Sequence, residues 1–491
     1  MRALGAYTVD RRPLAVVAYR RLWAASVVCA VGGSFSVVAV PAQLFAVAGT
    51  SAAVGAAGAV SFGALVVAAL WIGALADVAD RRTVLLGAQV GLALTYAALW
   101  AHAALGGRSV PLLLALVACQ GLSLGAIMTT MGAVVPRLVP AEFLAAASSL
   151  TSLTRYAGSI LGPVLAGVLV PVTGVATLYL LDAVALLSVV WAVLRLPPLP
   201  PNPDPAGPTD PAEPAAPAPP ATPADPAPPA DPAAPTGSAG NGAGSAGNGA
   251  GSAGNGAGSA GNGAGSAGHG VGSAGHGAGG RRAAGGLVLA GLRYLAGSRL
   301  LVAVLAVDLA AMVLGMPTAL FPELAQHTFG GRAGGGPELG LLYAAYPAGV
   351  LAAGLLSGTF TRARRHGALM AAAAAAWALT VVALGAAPWL WLALAALVAG
   401  GAVNFVLSTF RNAITQAHAR DAVRGRIQGS LTVVLFGGPQ LANLLHGAAA
   451  SALGPRTAIV AGGLLTALTV AVVVRAAPEL RRYTVATPDD H

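Results

Sequence analysis

The chain has 491 residues, of which 56% are hydrophobic and only 9% are charged. A soluble domain carries about 25% charged residues, so this composition excludes a soluble globular protein and favours one that crosses a membrane several times. All 27 basic residues are arginine. Because an ATP-binding P-loop needs a lysine on the phosphates, the composition also excludes such a site.

Twelve segments are long and apolar enough to cross a bilayer as helices, which takes about 20 residues each. The first is not a cleaved signal, because its apolar stretch of about 26 residues exceeds the 7–15 of a signal peptide. The sequence therefore predicts an all-α integral membrane protein. The predicted spans, numbered 1 to 12, are 22–47, 52–76, 83–104, 110–135, 144–170, 174–194, 299–325, 338–360, 368–387, 389–412, 427–452 and 456–476.

The arginines are distributed unequally between the two sides of these spans. With the N-terminus in the cytoplasm, 23 of the 27 arginines fall in cytoplasmic segments, three in external loops and one, Arg155, inside span 5. Cytoplasmic segments of membrane proteins carry an excess of basic residues. We therefore expect a cell-membrane protein with both termini in the cytoplasm, and no binding of nucleic acid despite the net charge of +10.

Residues 196–286 interrupt the spans with a sequence that cannot form a packed core. Proline and alanine dominate its first part. A seven-residue unit, Gly-Ser-Ala-Gly-Asn-Gly-Ala, then fills Gly237 to Ala278 in six copies, with His269 and His276 in place of Asn in the last two and Val271 in place of the final Ala of the fifth. Such compositions form a semi-rigid spacer and a flexible coil. The predicted organisation is a cytoplasmic N-terminus (1–21), a six-helix bundle (22–195), this disordered linker (196–286), a second six-helix bundle (287–476) and a cytoplasmic tail (477–491).

The two bundles resemble each other in sequence. Span 5 carries Gly162-Pro163 and span 11 carries Gly438-Pro439, and the loops after spans 2 and 8 share a glycine followed eight residues later by an arginine. Duplicated six-helix halves are typical of secondary transporters, which work by alternating access around a site near the membrane midplane.

Several motifs resemble those of the major facilitator superfamily. The stretch from Gly73 to Arg82 resembles its signature loop between the second and third helices, with Asp80 where many members have glycine. Gly158-x-x-x-Gly162-Pro163 resembles the helix-five motif of its drug/proton antiporters. The stretches that resemble its enterobactin-exporter branch are Pro136–Pro140, Tyr179–Asp182, Gly315–Pro322, Leu341–Ala345 and Arg424–Arg426.

This resemblance implies the superfamily's fold of twelve helices in two pseudo-symmetric bundles. It also implies a proton-coupled exporter of a siderophore or similar hydrophobic small molecule, acting as a monomer in the bilayer without a cofactor. A broad-specificity drug or macrolide efflux pump is the alternative. A non-transporting membrane scaffold, whose linker recruits partners, is the alternative of another class. No side-chain constellation in the sequence points to an enzyme or a metal site.

Ionisable side chains inside spans are costly and normally face a cavity, so they are the candidates for substrate binding and proton coupling. Arg155 and Asp182 are expected at similar depth, either as a static salt bridge or as a proton-switchable pair. Asp308 has no obvious partner, and we expect it to carry the coupling proton unless it pairs with an arginine of the inner loops. His446 is expected to be the only histidine within a span, with a role in coupling or with a carbonyl partner. Asn404, where many relatives have aspartate, either lines the cavity or joins helices.

The remaining predicted sites are mechanical. Gly73, Asp77, Arg81 and Arg82 are expected to form a cytoplasmic gate, in which Asp77 bonds to backbone amides and arginines in the outward-facing state. A plain positive-inside anchor explains the arginines alone. The glycines and prolines of spans 5 and 11 are expected to allow close packing or bending. They are Gly158, Gly162, Pro163, Gly438 and Pro439.

Overall fold

The computed structural model describes residues 12–78, 80–140, 143–197, 297–360, 363–418 and 421–484. The predicted linker lies outside the described residues apart from its first two positions. Every regular element in the described ranges is helical. The all-α class is therefore confirmed.

The helices follow the predicted spans closely. Ten helical stretches of the described chain are long and apolar enough to cross a membrane, and one of these contains both span 5 and span 6. The bounds are Val17–Gly32 and Ser36–Ala48 for span 1, Ser51–Val78, Arg81–Ala104 and Val110–Leu138 for spans 2 to 4, Leu144–Leu194 for spans 5 and 6, Arg299–Leu314 for span 7 with short helical turns up to Thr328, and Pro337–Leu355, His366–Ala386, Leu390–His418, Asp421–Leu453 and Pro455–Ala476 for spans 8 to 12.

Spans 5 and 6 are separated at Gly174, whose φ of 77° and ψ of 166° are not helical and suit only glycine. The chain reverses direction there. From the start to the end of span 5, the contacted residues of span 1 have increasing numbers. From the start to the end of span 6, the contacted residues of span 1 have decreasing numbers. These contacts are Tyr19 to Ala147 and Ala30 to Gly158, then Gln43 to Tyr179 and Ala25 to Ser188.

A second turn, at Gly454, separates spans 11 and 12 with almost the same backbone angles, φ of 80° and ψ of 157°. The two turns show which residues of the N-terminal half (spans 1–6) correspond to which residues of the C-terminal half (spans 7–12). Gly158 and Gly438 each lie 16 residues before their turn. Gly158 and Gly438 are therefore structural equivalents. The shared Gly-Pro dipeptides would instead pair Gly438 with Gly162, which lies one helical turn further along span 5.

The two halves meet at two helix crossings, which are equivalent positions in this correspondence. Span 5 crosses span 8, where a Cβ atom on Gly340 would overlap the carbonyl oxygen of Pro163. Span 11 crosses span 2, where a Cβ atom on Gly55 would overlap the carbonyl oxygen of Asn443. Both crossings lie close to the turns at Gly174 and Gly454. We call the side of the bundle with these turns the far side and the opposite one the terminus side; glycine packing thus closes the far side.

Spans 1 and 7, the first of each half, both break near their middle. Span 1 is interrupted between Gly32 and Ser36, and span 7 ends its regular helix at Leu314. Each break leaves backbone N–H groups inside the bundle that need hydrogen-bond acceptors. These two breaks position most of the buried polar side chains described below.

Candidate substrate and coupling site

Asp182 is fully buried and caps the second half of span 1. Its Oδ1 accepts a hydrogen bond from the Phe35 N–H at 3.1 Å, and its Oδ2 accepts one from the Ser36 N–H at 2.7 Å. A carboxylate at a helix N-terminus satisfies free amides and is favoured by the helix dipole. The predicted pairing of Asp182 with Arg155 is therefore wrong.

The positions of the two residues along span 1 explain the difference. Arg155 lies three residues before Gly158, which packs against Ala30, so Arg155 is level with residue 27. Asp182 contacts residues 35 and 36. Eight helical residues are about 12 Å, which is too far for a salt bridge.

Two groups of hydrogen-bonded polar side chains lie at and near this cap. Ser36 Oγ donates to Tyr96 Oη at 3.0 Å, and Gln120 Nε2 donates to the same oxygen at 3.2 Å. Nearby, Tyr179 Oη donates to Gln43 Oε1 at 2.8 Å, and Gln43 Nε2 lies 3.3 Å from His102 Nδ1.

Sequence analysis missed these two groups. His102 is buried inside the helix of span 3, so the expectation that His446 is the only histidine within a span is wrong. The available signal was the glutamines at positions 43 and 120, because an amide within an apolar span needs polar partners.

Asp308 forms a buried ion pair with Arg411 of span 10. Arg411 Nη1 lies 2.9 Å from Oδ1 and 2.8 Å from Oδ2, and the two side chains are 0% and 1% exposed for Arg411 and Asp308, respectively. Arg411 also donates to Asn412 Oδ1. Of the two possibilities for Asp308, the structure shows the pair with an arginine. Span 10 continues to His418, so Arg411 lies inside the bundle and not in a cytoplasmic segment.

The other predicted cavity residues have less distinctive surroundings. His446 is buried with its Nδ1 2.9 Å from the Ala442 carbonyl oxygen, which is the contact expected for a structural histidine. Asn404 is buried on span 10, seven residues and two helical turns before Arg411. Both residues therefore face the interior of the C-terminal half.

The break in span 7 is capped differently from the break in span 1. Asn443 Oδ1 accepts hydrogen bonds from Thr318 Oγ1 at 2.6 Å and from the Ala319 N–H at 3.1 Å. Counting eight residues beyond each turn aligns Asp182 with Gly462, so the carboxylate has no counterpart in the C-terminal half. Of the two broken spans, only span 1 therefore has a carboxylate as the cap of its break.

The predicted gate motif lies at the terminus-side end of span 2 and the start of span 3. Gly73 and Asp77 belong to the helix of span 2, but the Asp77 side chain lies outside the described residues. Asp80 caps span 3 by accepting from the Arg82 N–H at 2.8 Å. Arg82 Nη2 donates to the Leu194 carbonyl oxygen at 2.6 Å, which joins spans 3 and 6 of the same half. Arg81, at the first position of span 3, completes the motif.

The glycines of the predicted packing motifs lie where helices approach closely. A Cβ atom on Gly162 would come within 2.5 Å of Ser34 Cβ, and one on Gly158 would overlap the Ala30 carbonyl oxygen. Gly438 of span 11 packs against Met312 of span 7, just as its equivalent, Gly158 of span 5, packs against Ala30 of span 1. Pro163 and Pro439 lie inside their helices.

A sequence model described as Major Facilitator Superfamily matches residues 22–438, which is most of the chain. The chain belongs to the major facilitator superfamily. It is therefore a multi-pass membrane protein and a secondary transporter of small molecules, and not an enzyme. A comparison with curated proteins finds no match.

Solved structures of transporters are similar to this chain over nearly its whole length. A bacterial homologue of the human lysosomal transporter Spinster has 12% identity and a TM-score of 0.62, covering 98% of this chain and 100% of its own. The nucleoside transporter NupG has 11% identity and a TM-score of 0.61, covering 93% and 99%. A D-xylose–proton symporter has 14% identity and a TM-score of 0.58, covering 96% and 100%. At such identities the likeness shows the fold alone.

Proposed function

We propose that this transporter is a proton-coupled exporter of a hydrophobic small molecule, with a siderophore as the first candidate cargo. It acts by alternating access in the cell membrane, with both termini in the cytoplasm. The observation that carries the coupling proposal is the position of Asp182, a buried carboxylate whose described hydrogen-bond donors are all neutral. They are the backbone amides of Phe35 and Ser36 and the hydroxyl group of Ser36.

A coupling group must gain and lose a proton without leaving another charge unpaired. Protonating Asp308 would leave Arg411 buried and without its carboxylate, which is strongly unfavourable. Protonating Asp182 leaves only neutral hydrogen-bonding groups behind. Coupling is therefore assigned to Asp182, whereas the Asp308–Arg411 pair fixes spans 7 and 10 to each other.

Protonation of Asp182 would also act on the closure between the halves. It weakens the charge-assisted cap at Phe35 and Ser36, which holds the second half of span 1 in place. That helix reaches the far side, where the Phe45 ring meets the His327 ring of the C-terminal half at 5.7 Å. Movement of the helix would thus loosen a contact between the halves, which links proton binding to far-side opening.

The closed far side supports access to the site from the terminus side in this conformation. The cytoplasmic gate around Asp77 would then close the terminus side when the far side opens. Export, the siderophore cargo and the cytoplasmic position of the termini rest on the resemblance and on the arginine distribution. Drug or macrolide efflux would use the same mechanism with a different cargo.

Cargo can be identified by mass spectrometry of culture supernatants from cells with and without the gene, under iron starvation and in rich medium. A siderophore that disappears from the medium of iron-starved deletion cells, and accumulates inside them, is the expected result. Identical supernatants, together with raised sensitivity to macrolides, would favour the drug-efflux alternative. Retained secretion of every metabolite and unchanged drug sensitivity would favour the scaffold.

A further inference from the structure

We propose that spans 5 and 8 form a binding site for the anionic group of an amphipathic substrate, built by Arg155, Tyr156 and Tyr346. The inference rests on the proposed transport function and adds the chemical class of the cargo. The site lies between the two halves, on the terminus side of the glycine crossing.

The geometry of the crossing brings the two tyrosines together. Span 8 runs antiparallel to span 5, and Gly340 packs against Pro163. Moving six residues onward along span 8 reaches Tyr346, and moving seven residues back along span 5 reaches Tyr156. Both steps are about 10 Å towards the terminus side, so the two residues lie at the same level of the interface. Tyr156 is accordingly among the groups that interact electrostatically with Tyr346, together with the Asp308–Arg411 pair.

Three polar atoms in this region are buried without a hydrogen-bond partner among the described residues. They are Tyr156 Oη, Tyr346 Oη and Arg155 Nε. The Tyr346 side chain is only 6% exposed, so its hydroxyl is well removed from solvent. Buried polar groups are almost always hydrogen-bonded, and an orphaned group costs free energy. These three atoms belong to neighbouring residues at one level of the interface between the halves, and they are the donors of the proposed site.

The charge of the cluster determines the kind of ligand. The Arg155 guanidinium lies 5.0 Å from the centre of the Tyr156 ring, and no described carboxylate forms an ion pair with it. Asp308, the acidic residue that interacts electrostatically with Tyr346, is already paired with Arg411. The Arg155 guanidinium over the Tyr156 ring provides N–H donors in a positive environment. The Tyr156 and Tyr346 hydroxyls, whose side chains interact electrostatically, add two further donors at this level of the interface. Such a set is complementary to a carboxylate or another ionised oxygen.

The crossing of spans 2 and 11 provides an internal comparison. It uses the same glycine packing, but at the equivalent level the Phe62 ring lies against Gly437. An apolar contact therefore suffices to pack this type of crossing. The arginine and tyrosines of spans 5 and 8 are additional to packing, which favours a role in binding.

The surroundings account for the apolar part of the ligand. Tyr346 also lines an apolar pocket of the C-terminal half, together with Met316, Phe321 and Trp377. The Tyr346 and Trp377 rings meet edge to face at 5.8 Å. A ligand with an acidic group at Arg155 and an apolar or aromatic body against these side chains would satisfy both regions.

Two probes of the same shape, 2-naphthoate and 2-naphthamide, test the inference by isothermal titration of the purified protein in lipid nanodiscs. We expect naphthoate to bind at least about tenfold more tightly than naphthamide, because charge-assisted hydrogen bonds are the stronger ones. Arg155→Gln is expected to abolish this preference. Arg108→Gln, at an exposed arginine of a far-side loop, is the matched control and should retain it.

Equal binding of the two probes by the unmodified protein, or an unchanged preference in Arg155→Gln, would overturn the inference. Tyr346→Phe removes one oxygen atom without changing the ring, so it tests the site even where Arg155→Gln does not fold. It is expected to weaken naphthoate binding about threefold to tenfold and to leave naphthamide binding unchanged. Unchanged naphthoate affinity in this variant would also overturn the inference.

The assay separates this inference from the proposed function because it contains no proton gradient. Naphthoate preference that depends on Arg155, in a protein that fails to move cargo in proteoliposomes, would contradict export and support the anion site. Proton-driven export combined with equal affinity for both probes would support export and overturn the anion site.

Discussion

Adding one methyl group at Gly55 should open the far side of the transporter. A Cβ atom at this position overlaps the Asn443 carbonyl oxygen and lies within 3.2 Å of Leu444 Cα, and both contacts are with backbone that cannot rotate away. Overpacking of this kind costs about 1–3 kcal/mol. Because the cost applies only while spans 2 and 11 are in contact, it raises the population of the open conformation by about fivefold to 150-fold.

Gly63 provides a matched control on the same helix. Apart from the adjoining residues and backbone of its own helix, no described atom lies within 4 Å of the Cβ that Gly63→Ala would add, so this substitution changes helix propensity without touching the crossing. Accessibility can be followed with a membrane-impermeant maleimide and Ala319→Cys, a position that is 2% exposed and lies at the break in span 7. Gly55→Ala should label several-fold faster from the far side than Gly63→Ala. Equal labelling rates would refute the assignment of this glycine crossing as the far-side closure.

Three further predictions concern stability and transport. Asp308→Asn should lower the free energy of unfolding in detergent by about 3–5 kcal/mol, because it leaves Arg411 buried without its carboxylate. Adding Arg411→Gln should restore most of the loss. A double variant as unstable as the single one would contradict this. Shortening 203–278 to a few residues should leave the melting temperature and transport unchanged, and loss of transport in a stable protein would reveal a specific role for the linker. Asp77→Asn should reduce transport several-fold at normal membrane insertion, whereas unchanged transport would leave that segment as an anchor.

The apolar pattern predicts the spans well because each crossing of a bilayer needs about 20 apolar residues, whatever its neighbours are. Span ends are harder, because a helix continues past its apolar stretch when its polar residues find partners inside the bundle. Span 10 shows this: its apolar stretch ends near 412, but its helix continues to His418. Arg411 is one residue from the end of that stretch and is therefore counted with the cytoplasmic arginines in the sequence, so Asp308 looks unpaired.

The partners of buried polar groups depend on contacts between residues far apart in the chain. Asp182 and Ser36 are 146 positions apart, and nothing in their local sequence indicates that they meet. The break at Gly33 was a usable signal, since a glycine pair followed by serine in an apolar span suggests freed amides that need an acceptor. Tyr156 and Tyr346 become visible only when the register of spans 5 and 8 is known.

Coupling through Asp182 is tested most directly by transport of the identified cargo in proteoliposomes with an imposed pH gradient. The unmodified protein should concentrate cargo against its gradient, in proportion to the pH difference. Asp182→Asn preserves the shape of the side chain and one acceptor oxygen, so it should fold and equilibrate cargo downhill but fail to concentrate it. Uphill accumulation by Asp182→Asn at the rate of the unmodified protein would contradict the assignment of the coupling proton to this residue.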